Sequence, residues 1–205
     1  EPVAGVTIDW SYFPVRACDF MVEHGVRGRG FNPFFEGGYL LYRFWPERER
    51  LPFMDIHQAG GPGIRLLYLN ASSRKEGWGP LDRRFQFDYA IVDRRRHAKS
   101  SILDALDSDT TWAMVFMDDA AAVYVRRSGP LVSVADRVAF RRLPGGPSAL
   151  GPLGVAVAAD STVRREVAAE LQRVILDSPW HAGALSLLAN VALIEDRYAD
   201  ARAIL

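Results

Sequence analysis

Between residues 144 and 152 the chain reads Pro-Gly-Gly-Pro-Ser-Ala-Leu-Gly-Pro, three prolines and three glycines in nine positions. Proline lacks a backbone N–H and glycine is costly to order, so neither a helix nor a central strand is expected to run through this stretch. The sequence on its two sides differs in kind. Upstream, helical and strand-like stretches alternate, whereas downstream the apolar residues keep a helical period. The chain therefore predicts an α/β domain over residues 1–143, a Pro/Gly linker over 144–152 and an all-α segment over 153–205. With 49% apolar residues in 205, a packed core is expected and wholesale disorder is excluded.

Local signals place the elements of the first part. Pro14 suits a first helical turn and Gly25 suits the left-handed residue that ends a helix, so residues 14–24 read as a helix. Gly30-Phe31-Asn32 reads as a strand end, 33–38 as a glycine-rich turn, and 39–45 as a short helix stopped by Pro46. A buried strand is expected over 51–56, two short helices over 64–84 around Gly77–Pro80, a strand over 87–92, and a helix over 100–106 capped by Ser100 or Ser101. The β-rich runs 111–117 and 120–126 flank Asp118-Asp119 and predict a hairpin. Strand–helix alternation predicts a three-layer, mainly parallel sheet with that hairpin as an antiparallel edge.

Composition narrows the function classes. Twenty-five Lys and Arg balance twenty-five Asp and Glu, which argues against a nucleic-acid partner. The lone Cys18 allows no disulfide within the chain and no cysteine-rich metal centre. No apolar run approaches the about 20 residues that span a bilayer. The chain carries neither a Walker nor a dinucleotide fingerprint, so no cofactor is expected, and no G-x-S-x-G elbow points to a nucleophilic serine.

After Pro179, the residues Leu185, Leu188, Ala189, Ala192, Tyr198 and Ala201 alternate large and small at helical spacing. This pattern resembles a tetratricopeptide repeat, with residues 164–176 as the second helix of the preceding unit. Such arrays need about three repeats for stability, so continuation beyond Leu205 is expected. Helical repeats of this kind bind partners, here a protein or a glycan.

The stretch Arg29-Gly30-Phe31-Asn32-Pro33-Phe34-Phe35-Glu36-Gly37-Gly38-Tyr39-Leu40-Leu41-Tyr42-Arg43, followed by Leu51-Pro52-Phe53-Met54-Asp55-Ile56, is distinctive. Together with the runs 87–92, 112–119 and 122–126 it resembles the extracytoplasmic C-terminal domain of bacterial multi-pass membrane proteins. Those are glycosyltransferase-like proteins of the oligosaccharyltransferase and protein-mannosyltransferase kind. The resemblance spans about residues 11–127 and implies a non-catalytic accessory or interaction module on the extracytoplasmic face, docked on its own membrane-embedded part. Any transferase chemistry would belong to that membrane part. One departure stands out: where the family's Asp-bearing strand ends in Asp-Gly-Arg, this chain has Asp55-Ile56-His57-Gln58.

The alternative is a metal-dependent or acid–base site built from Glu36, Asp55 and His57. On a strand, Asp55 and His57 would face the same way, and their strand end precedes a glycine turn, where open α/β sheets bind ligands. Asp55 and His57 with Glu36 would offer carboxylate and imidazole ligands for a divalent ion, or an acid–base pair. The competing reading has Asp55 and Glu36 capping turns and helix starts. Gly37-Gly38 has a steric role beside them. Arg94-Arg95-Arg96-His97 reads as a solvated loop, with phospholipid headgroups as its functional alternative.

Overall fold

Five consecutive buried residues, Tyr89 to Asp93, form the central strand on which the molecule is built. The computed structural model describes residues 10–57, 61–95 and 101–205, and its strands make one four-stranded mixed sheet. In chain order they are β1 (Gly30–Phe31), β2 (Tyr89–Asp93), β3 (Trp112–Met117) and β4 (Ala121–Arg126), arranged β1-β2-β4-β3. β1 pairs parallel with β2, while β2–β4 and β4–β3 are antiparallel. The expectation of a mainly parallel sheet with an edge hairpin is corrected here. β3 does run parallel to β2, but β4 folds back into the gap between them. The hairpin thus supplies an inner strand, and its first strand becomes the edge.

Helices cover both faces. Ala90, Val92, Ala122 and Tyr124 belong to a core shared with α3 (Pro62–Ser73), α4 (Trp78–Phe85), α5 (Ser101–Ser108), α7 (Leu150–Ala159), α8 (Ser161–Asp177) and α9 (Ala182–Ile194). Ile91, Val123 and Val125 point the other way, onto α1 (Val15–Glu23), α2 (Gly37–Phe44) and α6 (Val132–Val138). The strict alternation of a pleated strand produces these two sets. It slips once: a register shift between Met114 and Phe116 turns Val115 and Phe116 onto the same face. A last helix, α10 (Tyr198–Ile204), packs on α9.

Several boundaries follow their local signals. α1 starts after Pro14, and Gly25 takes φ +67° beyond its end. The break between α3 and α4 falls at 74–77, a little earlier than the glycine and proline at 79–80 suggest. Ser101 does not cap α5: its Oγ donates to the carbonyls of Ala71 and Ser72 at the end of α3 (3.1 and 2.8 Å), and Ser100 lies outside the described residues.

One expectation fails for a tertiary reason. Residues 51–56 form no strand, although Met54 and Asp55 are buried. Pro52 brings no N–H, and the next donor and acceptor are claimed by one side chain. Asn32 Oδ1 accepts from the Phe53 N–H (2.7 Å) and its Nδ2 donates to the Met54 carbonyl (2.8 Å). An amide thus takes the place of a neighbouring strand.

The 144–152 stretch is buried in its first third and exposed at 147, 148 and 150–152. Residues 143–146 are buried, α7 already begins at Leu150, and Pro152 fits within its first turn. Val163, Val167, Leu171 and Val174 of α8 belong to the same core as the sheet. Among the described residues no helix is long and apolar enough to cross a membrane.

Candidate functional site

Glu36, Asp55 and His57 sit at the carboxyl end of β1, but in different surroundings. Glu36 immediately precedes α2 and is 6% exposed; Asp55 is 8% exposed. The first turn of α2 lies directly on the 54–55 backbone. A Cβ placed on Gly37 would run into the Met54 carbonyl oxygen and come within 2.7 Å of Asp55 Cα. Glycine is required there by the close approach, which is the steric role its pair with Gly38 suggested.

With no strand to carry them, Asp55 and His57 do not present together. Asp55 Oδ1 accepts from the His57 backbone N–H (2.7 Å), closing a turn, while the His57 residue is exposed. The structure therefore brings Glu36 and Asp55 into adjoining buried positions and leaves the His57 residue outside. Among the described residues no group of three or more His, Cys, Asp or Glu side chains is arranged to hold a metal ion.

A denser polar centre lies at the carboxyl ends of β2 and β3, and periodicity does not reveal it. Arg94, read from sequence as part of a solvated basic run, is half-buried there; Arg96 and His97 lie outside the described residues. Its guanidinium donates to the Asp118 carbonyl in the β3–β4 turn, to the Gly145 carbonyl (3.3 Å), and to His181 Nε2 (2.8 Å) before α9. Burial holds Arg94 below the usual arginine value, opposed by Tyr124 and the nearby aspartates. Asp118 is pushed up by burial, although its Oδ1 accepts from the Ala120 and Ala121 N–H groups (2.8 and 2.7 Å).

Asp107, on α5, completes the centre. It accepts from Tyr124 Oη (2.7 Å) and from the N–H groups of Gly145 and Gly146 (3.1 and 2.8 Å). Burial raises its carboxyl above the usual range against these hydrogen bonds. A Cβ on Gly145 would collide with Tyr124 Oη, so a larger residue there would displace the hydroxyl that Asp107 holds. Upstream, Glu170 of α8 accepts from the Arg141, Arg142 and Leu143 N–H groups, the last at 2.8 Å. These carboxylates hold the chain between the sheet and the helical segment in place. Cys18 is buried with its thiol pushed up to about 12, so it is a poor nucleophile.

The helices also form an apolar groove of ≈ 360 Å³. Leu153 and Val157 of α7, Val167 of α8, and Leu187, Val191 and Ile194 of α9 line it, with Asn190 adding an amide. No charged residue is part of the lining among the described residues. No protein-family model, curated protein or solved structure matches this chain.

Proposed function

We propose that this chain is a non-catalytic interaction module, and that the groove between α7, α8 and α9 holds a polypeptide partner. The groove carries the reading. Eight aliphatic side chains from three helices, Leu150 and Leu193 included, and a single amide make a surface that gains by excluding water. An amphipathic helix presenting large apolar residues at i, i+3 or i+4 and i+7 is the occupant that such a groove takes. We read α8–α10 as tetratricopeptide-like. The support is that Ala189 and Ala192 of α9 meet Ala201 of α10, so small residues sit where the two helices approach closely.

The resemblance carried by residues 29–43 and 51–56 supports the remainder. The module belongs on the extracytoplasmic face of a bacterial membrane, attached to a multi-pass glycosyltransferase-like parent and docked on its membrane-embedded part.

A photo-crosslinking residue at Ile194, 43% exposed, in the full-length protein in cells should capture one discrete polypeptide. Leu193→Asp, at a position 44% exposed, should abolish capture without lowering the melting temperature. Capture that is absent, or indifferent to Leu193→Asp, overturns the reading. For the location, Glu76→Cys at an exposed position should react with a membrane-impermeant thiol reagent on intact cells, the native Cys18 being buried. Labelling only after lysis puts the module on the other side.

A further inference from the structure

His181 is 6% exposed and joins three elements: it precedes α9, faces the end of β2, and borders the β3–β4 turn. Its Nε2 lies 2.8 Å from Arg94 Nη1, and its Nδ1 lies 3.1 Å from the Ala184 N–H and 3.5 Å from Asp119 Oδ1. A guanidinium has only protons to offer, so Nε2 must be the bare nitrogen. A neutral imidazole with a bare Nε2 carries its proton on Nδ1, directed at Asp119. The ring is then an acceptor for a half-buried cation on one side and a donor to a carboxylate on the other. The Ala184 N–H also asks for a bare nitrogen, so in that tautomer its 3.1 Å contact with Nδ1 is not a hydrogen bond: two donors compete for the one lone pair of a neutral ring, and the shorter, charged Arg94 contact takes it.

We propose that His181 is an acid-sensitive latch: proton uptake by the imidazole breaks its contact with Arg94 and loosens the 178–182 connection and the first turn of α9 from the sheet. A second ring proton points N–H at N–H and places two positive charges 2.8 Å apart. Among the described residues Asp119 is the opposing charge facing the ring, at a longer 3.5 Å, and it is shared with Ser178 Oγ at 3.4 Å. Among the described residues the charged groups facing the imidazole are thus Arg94, just after β2, and Asp119 from the hairpin turn. Asp118, Asp107 and Tyr124 act on Arg94 instead.

Burial first, and Arg94 second, hold the imidazole below its ordinary value, with Asp119 opposing. The unfolded or opened segment takes up the proton first as pH falls. Stability at the latch is therefore complete above the ordinary histidine value of ~6.5 and is lost as pH falls from there through the folded-state value. Arg94 also holds the Asp118 and Gly145 carbonyls, so release of His181 frees the α8–α9 connection and not the whole helical segment. The α8 side chains Leu171 and Val174 stay in the core.

Hydrogen exchange on the 205-residue chain tests this directly. Between about pH 8 and about pH 5, after correction for intrinsic rates, protection over residues 180–185 should fall ~5- to 10-fold, while β2 and β4 amides stay unchanged. His181→Asn offers the Ala184 N–H a capping oxygen and cannot take up the proton, so its protection there should not depend on pH. A second readout needs no variant: the His181 ring resonances should titrate below ~6.5, in step with the Trp180 indole. Flat protection in the wild type, an equal acid loss in His181→Asn, or a ring titrating at or above the ordinary value overturns the latch, whatever the groove binds.

Discussion

Asp55 and Asp107 are both sheltered carboxylates beside glycine-rich chain, and they act over different ranges. Asp55 accepts from the backbone two residues ahead and closes a turn. Asp107 accepts from residues 38 and 39 positions ahead, and from a tyrosine on β4, so it ties the sheet to the segment leading into the helices. The loop at 51–57 is thus fixed by near neighbours and by Asn32, whereas the 143–149 stretch is held from a distance by Asp107, Glu170 and Arg94. In this protein the carboxylate that looks most chemical in the sequence is a local turn-maker. The structural spans rest on residues that no short motif picks out.

The largest effect should come from the core beneath the distant ties. Leu171 of α8 is 1% exposed and packed in the cluster that contains Ala90 and Tyr124 of the sheet. Leu171→Ala should cost about 3 kcal/mol, and chemical denaturation should remain one transition with an unchanged slope. Two transitions, with the sheet unaffected, would show that 144–152 behaves as a hinge between independent units.

Next comes the tie itself. Asp107→Ala leaves the Tyr124 hydroxyl and two glycine N–H groups without their acceptor, and should cost about 2 kcal/mol in the same assay. Gly37→Ala should cost a comparable ~2 kcal/mol, because the Met54 carbonyl that its Cβ meets is backbone and yields little.

What was legible in the sequence was whatever is written within a few residues. Pro14 and Gly25 mark α1, and the runs on either side of Asp118-Asp119 mark β3 and β4. Partner choice was not legible. Nothing in 51–56 announces that a buried asparagine 21 residues earlier will occupy the Phe53 N–H, and an apolar run near a proline satisfies the strand pattern equally well. The position of β4 between β2 and β3 depends on which edge the hairpin folds toward, a choice made by the two faces together. Arg94 sits in a run that reads as solvated, and the histidine it meets is 87 residues away. Glu36 and Asp55 lie near one another only through the backbone approach at Gly37, which no spacing in the sequence announces. His57 was assigned to their side on the strength of a strand that does not form.

The smallest effects bear on that same loop and separate its two possible roles. Asp55→Ala removes an acceptor from one turn N–H and should cost about 1 kcal/mol, half the Asp107 effect, with Asn at the same position restoring most of it because its carbonyl can accept the same bond. His57→Ala, at an exposed residue, should change stability by less than ~0.5 kcal/mol. Zinc, nickel or manganese should leave the melting temperature of wild type and His57→Ala alike, since a ligand held by the folded state alone must raise it. A metal-dependent rise that vanishes in both His57→Ala and Asp55→Asn would reverse the comparison: the loop would then be shaped to bring Asp55 and His57 to an ion, and its turn would be the means of holding the carboxylate ready for it.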